Sequence, residues 1–214
     1  MRPRLLDLFC GAGGAGMGYH RAGFDVVGVD IAPQPHYPFE FHQADALEYL
    51  IEHGHEFDAI HASPPCQAHS VARHIHGGEY ADLIPQTRTW LLEVGKPWVI
   101  ENVPGAPLVN PVTLCGLMFG LRVYRHRMFE SNFFMLGVPH AQHPGGATTN
   151  SKSGYSAFDR GATHITIGGN NFRREDAIAA LNGDCAWMTR PELAQAIPPA
   201  YTEWIGQQLM AVLR

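Results

Sequence analysis

At 214 residues the chain is long enough for one sizeable core and a small second lobe. Hydrophobic residues make up 45% and charged residues only 16%, against about 25% in an average globular domain, which excludes a disordered chain. The formal net charge of −5 excludes a protein that coats nucleic acid through a general basic excess, so any phosphate contact must come from a local patch.

The N-terminal stretch MRPRLLDLFCGAGG imitates a signal peptide, with two arginines ahead of apolar residues, but Asp7 interrupts a run already too short for that purpose. No segment approaches the ~18 consecutive apolar residues of a membrane span. The expectation is a soluble cytoplasmic protein with no membrane partner. Leu5–Phe9 is short, apolar and followed by glycines, as in a buried strand entering a tight turn. Met17–Ala22 reads as a helix closed by Gly23. Phe24–Asp30 reads as a second strand, a third precedes Gln43-Ala44-Asp45, and Ala46–Ile51 reads as a helix that Asp45 can cap. Phe57–Ala62 and Pro97–Ile100 are two further strands. Strands alternating with helices imply parallel βαβ units, hence an α/β fold with a doubly wound, mostly parallel sheet. In such sheets ligands sit beyond the strand C-termini, where Asp30, Cys66 and Glu101 all fall. From Leu136 to Phe172 the chain is rich in Gly, Ser, Thr, Asn and His and reads as a small loop-rich insert. Arg173–Leu181 and Tyr201–Leu213 then return to helix. The expected organisation is a catalytic, cofactor-binding unit over 1–135, the insert over 136–172, and a returning segment over 173–214.

The stretch Gly11-Ala12-Gly13-Gly14-Ala15-Gly16 satisfies G-x-G-x-x-G between a strand and a helix, and Asp30 lies 19 residues after Gly11. Glycines let backbone approach a ligand, and an acidic side chain at the next strand end can accept from a ribose diol. A nucleoside-containing cofactor follows, but spacing does not separate a nicotinamide dinucleotide from S-adenosylmethionine. Four scattered cysteines, Cys10, Cys66, Cys115 and Cys185, with no C-x-x-C pair, argue against a disulfide framework or a four-cysteine zinc site. Of 13 histidines, His74/His76 and His140/His143 come nearest to ligand pairs. Neither has a matching second half at zinc spacing, so both read as loop polarity and no metal is expected.

Cys66 stands behind Pro64-Pro65 in HASPPCQAHS. A structural thiol, a metal ligand and a nucleophile all fit that position. The prolines fix φ and hold the sulfur in one orientation, which suits covalent attack. The ordered set DLFCGAGG, VGVD, ADAL, SPPCQ, ENVPG and YRHRMFE resembles the C5-cytosine DNA methyltransferase family, and in its compactness the bacteriophage DNA methylases. The resemblance runs from Leu5 to Phe129 and resumes weakly near the C-terminus, where Ala194 and Gln195 replace the glycine and asparagine the family usually has. It implies a Rossmann-like class I methyltransferase fold and S-adenosylmethionine bound by Asp7, Phe9, Gly11, Gly13, Gly14, Asp30, Ile31, Asp45, Ala46 and Pro64. It also implies Cys66 as nucleophile, Glu101 as the carboxyl that holds the base, and Arg125 and Arg127 beside them. Cytosine C5 is a poor nucleophile until a thiolate adds at C6, and that addition sends charge toward N3, where a carboxyl group helps. The target base must flip out of double-stranded DNA to be reached. Gln67, Ser70, Arg73, Arg160 and Arg173 are the expected nucleic-acid contacts, with Arg122, Arg125, Arg127 and Arg174 completing a local basic cluster. The short insert offers few base readers, so the recognition site is expected to be short. A monomer or weak dimer is expected. Two other readings stay open: an RNA cytosine C5-methyltransferase, and a nicotinamide-dependent oxidoreductase that would leave SPPCQ and ENV unexplained.

Overall fold

A computed structural model of the chain describes residues 1–66, 82–140, 142–145, 155–169 and 171–214. Arg4–Leu8 (β1), Asp25–Asp30 (β2), Glu40–Gln43 (β3), Ala59–Ala62 (β4), Trp98–Asn102 (β5), Val112–Leu114 (β6) and Arg127–Ser131 (β7) form one sheet in the order β3-β2-β1-β4-β5-β7-β6. The first five strands are parallel; β7 runs antiparallel to both β5 and β6. Among the described residues the α-helices are Gly14–Ala22 (α1), Ala46–His53 (α2), Ile84–Val94 (α3), Arg174–Ala180 (α4), Arg190–Gln195 (α5) and Pro199–Val212 (α6).

Strands β1, β2, β4 and β5 are buried along nearly their whole length, which is why they read as continuous apolar runs rather than alternating ones. One face of the sheet carries a core of Leu6, Val27, Leu50, Ile60 and Leu91 under α2 and α3. The other carries a larger core of Leu5, Tyr19, Phe24, Val99, Phe129 and Tyr201 under α1 and α6. The doubly wound sheet expected from the sequence is therefore present. Ile165, Ile167 and Phe172, which lie within the glycine-rich stretch, also pack into the larger core, and Val123 bridges Ile165.

Helix α1 starts three residues earlier than its apolar pattern suggests, because Gly14, Gly16 and Gly18 give that pattern nothing to show. Those missing side chains have a use. A Cβ on Gly18 would lie 2.1 Å from the Pro199 carbonyl oxygen and from Thr202 Oγ1, so α6 can sit directly on α1. Thr202 then donates to the Ala15 carbonyl at 2.8 Å. Helix α3 carries Pro85 in its first turn, where a proline costs no hydrogen bond. Strand β5 runs two residues further than expected and contains Glu101 and Asn102 itself.

Candidate active site

The turn after β1 is bent by three residues in the left-handed region: Phe9 (φ 56°), Gly11 (φ 51°) and Gly13 (φ 84°). Phe9 is the unusual one, because a bulky side chain rarely adopts this conformation. Its carbonyl-side neighbours are held from outside: Cys10 N donates to Val29 O at 3.1 Å, and Gly11 N donates to Asp30 Oδ2 at 3.0 Å. Asp30 Oδ1 accepts from Ala32 N at 3.0 Å. One carboxylate thus braces both the glycine turn and the bend beyond β2, and Ile31 next to it is 72% exposed on that rim. Asp45 caps α2 by accepting from Leu47 N and Glu48 N, with Ala46 buried behind it.

Beneath the turn lies Asp7, fully buried in β1. Tyr37 donates its hydroxyl to Asp7 Oδ2 at 3.2 Å, while Oδ1 has no partner among the described residues. Burial pushes the Asp7 carboxyl up to about 8, with the nearby Asp30 charge adding to it. The Tyr37 ring occupies the space that side chains on Gly13, Gly16 and Gly28 would fill. Sequence reasoning missed Tyr37, which sits in a loop without periodicity. From the C-terminal segment, Trp187 Nε1 donates to Ala12 O at 2.9 Å, and the Ile197 carbonyl lies where a Cβ on Gly14 would be. The weakly matching last segment does reach the glycine turn.

The donor set suits S-adenosylmethionine. Asp30 at the end of β2 can serve a ribose diol, and Asp7 underlies the glycine turn as a buried acid.

Cys66, half-buried, follows β4 by four residues. The turn leading to it is tied to the neighbouring strand, since Asn102 Nδ2 donates to the Pro64 carbonyl at 2.9 Å and Asn102 Oδ1 accepts from Val103 N. Asn102 thereby orients the cysteine turn. Glu101, beside it, is buried. Antiparallel pairing sets Glu101 against Phe129, and two residues along the same face Arg127 Nε reaches Glu101 Oε1 at 2.9 Å. This contact is an ion pair lacking hydrogen-bond alignment, and Oε1 has no hydrogen-bond partner among the described residues. Burial raises the Glu101 carboxyl above its ordinary range against the opposing pull of Arg127, Arg125 and the Ser63 hydroxyl.

Behind Glu101 runs a buried polar chain that the sequence reading did not find. Tyr19 Oη lies 3.0 Å from His61 Nδ1, and His61 Nε2 lies 2.8 Å from Ser63 Oγ. With Ser63 donating to Glu101, Ser63 Oγ must accept from His61 Nε2–H, so His61 Nδ1 accepts the tyrosine hydroxyl. His61 is neutral, its pKa drawn down to about 3 by burial. The available signal was a histidine inside an apolar strand two residues before Ser63.

Arg125 is buried in a different task from the one expected. Its Nη atoms donate to Ile167 O at 2.5 Å and Ala194 O at 2.8 Å, joining the insert to the C-terminal segment. Its charge is nonetheless felt at Glu101 and Cys66, and its Nε is unpartnered among the described residues. The remaining basic cluster is largely committed too. Arg122 stacks over Phe158 at 3.6 Å and donates to the carbonyls of Thr163 and Ala162; Arg174 donates to those of Met188 and Ala186. Arg160 Nε bonds Ser156 O at 3.3 Å, and Arg173 lies 3.7 Å from Glu175. Gln67, Ser70 and Arg73 lie outside the described residues. No helix among the described residues is long and apolar enough to cross a membrane.

Two solved structures resemble the fold over the whole chain. They are S. pombe Dnmt2 methyltransferase (TM-score 0.65, 13% identity, covering 100% of each chain) and Entamoeba histolytica methyltransferase EhMeth (TM-score 0.67, 12% identity, covering 100% of this chain and 99% of that one). At such identities the likeness is one of fold. The Type II methyltransferase M.HgiDI of Herpetosiphon aurantiacus is 32% identical over 150 residues, which are 64% of this chain and 48% of that protein. The chain spans about half the length of this curated relative. Residues 3–106 match the model of the C-5 cytosine-specific DNA methylases, a span that runs from β1 through β5 and takes in the glycine turn, Cys66 and Glu101.

Proposed function

We propose that the protein is a DNA cytosine C5-methyltransferase. The observation that carries the reading is Glu101: a buried carboxyl with raised pKa, paired with Arg127, set on β5 next to the strand that delivers Cys66. S-adenosylmethionine, held by the Asp7–Phe9–Gly11–Asp30 region with Ile31 along its rim, supplies the methyl group. Cys66 Sγ adds to C6 of the flipped cytosine, and charge moves toward N3. Burial favours the protonated form of Glu101, which donates to N3, while Arg127 and the Ser63 hydroxyl hold its orientation. Elimination of the cysteine follows loss of the C5 proton, for which water suffices. Residues 136–172 act as the recognition insert, and Arg160 and Arg173 provide phosphate contacts. With so few base readers, the site is on the order of two to four base pairs.

The test uses duplex DNA carrying 5-fluorocytosine, whose fluorine cannot leave as a cation. Wild type should form a covalent adduct in the presence of S-adenosylmethionine, and Cys66→Ala should form none while still binding S-adenosylhomocysteine. Methylation of cytosine without any adduct would refute the role of Cys66. An adduct with RNA but not with DNA would refute DNA as the substrate.

A further inference from the structure

Cys115 directly follows β6 and is fully buried. His126 directly precedes β7, between Arg125 and Arg127. His140 and His143 come from the segment that leaves β7. They come from three separate stretches of the chain, yet one ligand atom from each falls within 4.8 Å of all the others. Cys115 Sγ is 3.5 Å from His143 Nε2, and His126 Nε2 is 3.2 Å from His140 Nε2. A tetrahedral zinc ion with Zn–N near 2.0–2.1 Å and Zn–S near 2.3 Å requires edges of about 3.3 Å between nitrogens and about 3.6 Å between sulfur and nitrogen. These two edges have those lengths, and the remaining ones lie within 4.8 Å.

We propose that Cys115, His126, His140 and His143 form a closed structural site for one zinc ion. A thiolate with three imidazoles is a donor set that suits zinc, and four protein ligands leave no open position for catalysis. Cys115 loses its proton to solvent as the ion binds. Tyr124 supports the site from outside, its ring stacked on His143 at 3.9 Å and on His164 at 4.6 Å. The consequence is mechanical. His126 is fixed between the two arginines, so the ion anchors the segment that sets Arg127 on Glu101 and ties it to the chain entering residues 136–172. The expectation that His140 and His143 are mere loop polarity came from seeking a second ligand pair in sequence. The other two ligands arrive singly, from either end of the β6–β7 unit, and no spacing rule records that.

The site is tested independently of the methyl-transfer reading. Full-length protein from zinc-supplemented cells, dialysed against metal-free buffer, should retain about one zinc per chain by elemental analysis. Cobalt(II) exchanged into wild type should show a thiolate-to-metal charge-transfer band and the intense visible bands of a tetrahedral centre. Cys115→Ser should lose the charge-transfer band, the His140→Ala/His143→Ala double variant should lose stoichiometric metal, and Cys185→Ser should keep both. The wild-type cobalt spectrum needs no variant to fold. Wild type without bound zinc and without that band overturns the proposal, as does Cys115→Ser retaining the band.

Discussion

His61 offers a quantitative test of the buried chain behind Glu101. Its ring is wholly buried, with Tyr19 Oη at 3.0 Å on one nitrogen and Ser63 Oγ at 2.8 Å on the other, and burial draws its pKa down to about 3. In the unfolded chain a histidine titrates near 6.5. The unfolded state therefore takes up the proton first, so the His61 contribution to stability is intact above pH ~6.5 and is lost as the pH falls toward 3. The gap between the two pKa values corresponds to roughly 5 kcal/mol in full, of which about 2 kcal/mol is lost between pH 7 and pH 5. His61→Gln retains an acceptor for Tyr19 and a donor for Ser63 but does not titrate. Urea unfolding of both proteins at pH 7 and pH 5 isolates this term, since contributions from every other group cancel in the comparison. Wild type should lose about 2 kcal/mol more than the variant over that interval, a midpoint difference near 1 M for a slope of about 2 kcal/mol/M. Identical pH dependence in the two proteins would mean that His61 titrates normally, and the buried neutral chain would be refuted.

Asp7 has the opposite sign: its folded pKa, about 8, lies above the ordinary 3.8, so its contribution is present below pH ~4 and lost as the pH rises through 8. Asp7→Asn should accordingly be more stable than wild type at pH 8, by on the order of 2–5 kcal/mol, and converge with it near pH 4; parallel stability across that range would contradict the assignment. Asp30→Ala releases Gly11 N and Ala32 N together with the acceptor for a ribose diol. Calorimetry should show binding of S-adenosylhomocysteine weakened roughly ten- to hundredfold, and wild type binding NADH but not S-adenosylhomocysteine would exclude the cofactor reading.

By itself the sequence determined the parallel core of the fold and the two ends of the chemistry. Buried strands need uninterrupted apolar runs, turns over a ligand need glycine, and a rigid thiol needs the prolines before it, so β1, β2, β4, the Gly11–Gly16 turn and Cys66 each carry a local signature. Only the tertiary structure decided how side chains distant in sequence share a site. Antiparallel registry of β7 on β5 brings Arg127 to Glu101, while Arg125, two residues earlier, is spent on the carbonyls of Ile167 and Ala194. Tyr19 meets His61 across 42 residues, and Asp7 becomes a high-pKa acid because the turn and Tyr37 exclude water from it. Cys115 and His143 meet across 28. Such contacts depend on which faces pack together, and packing of distant segments leaves no period, spacing or propensity in the chain from which to read it.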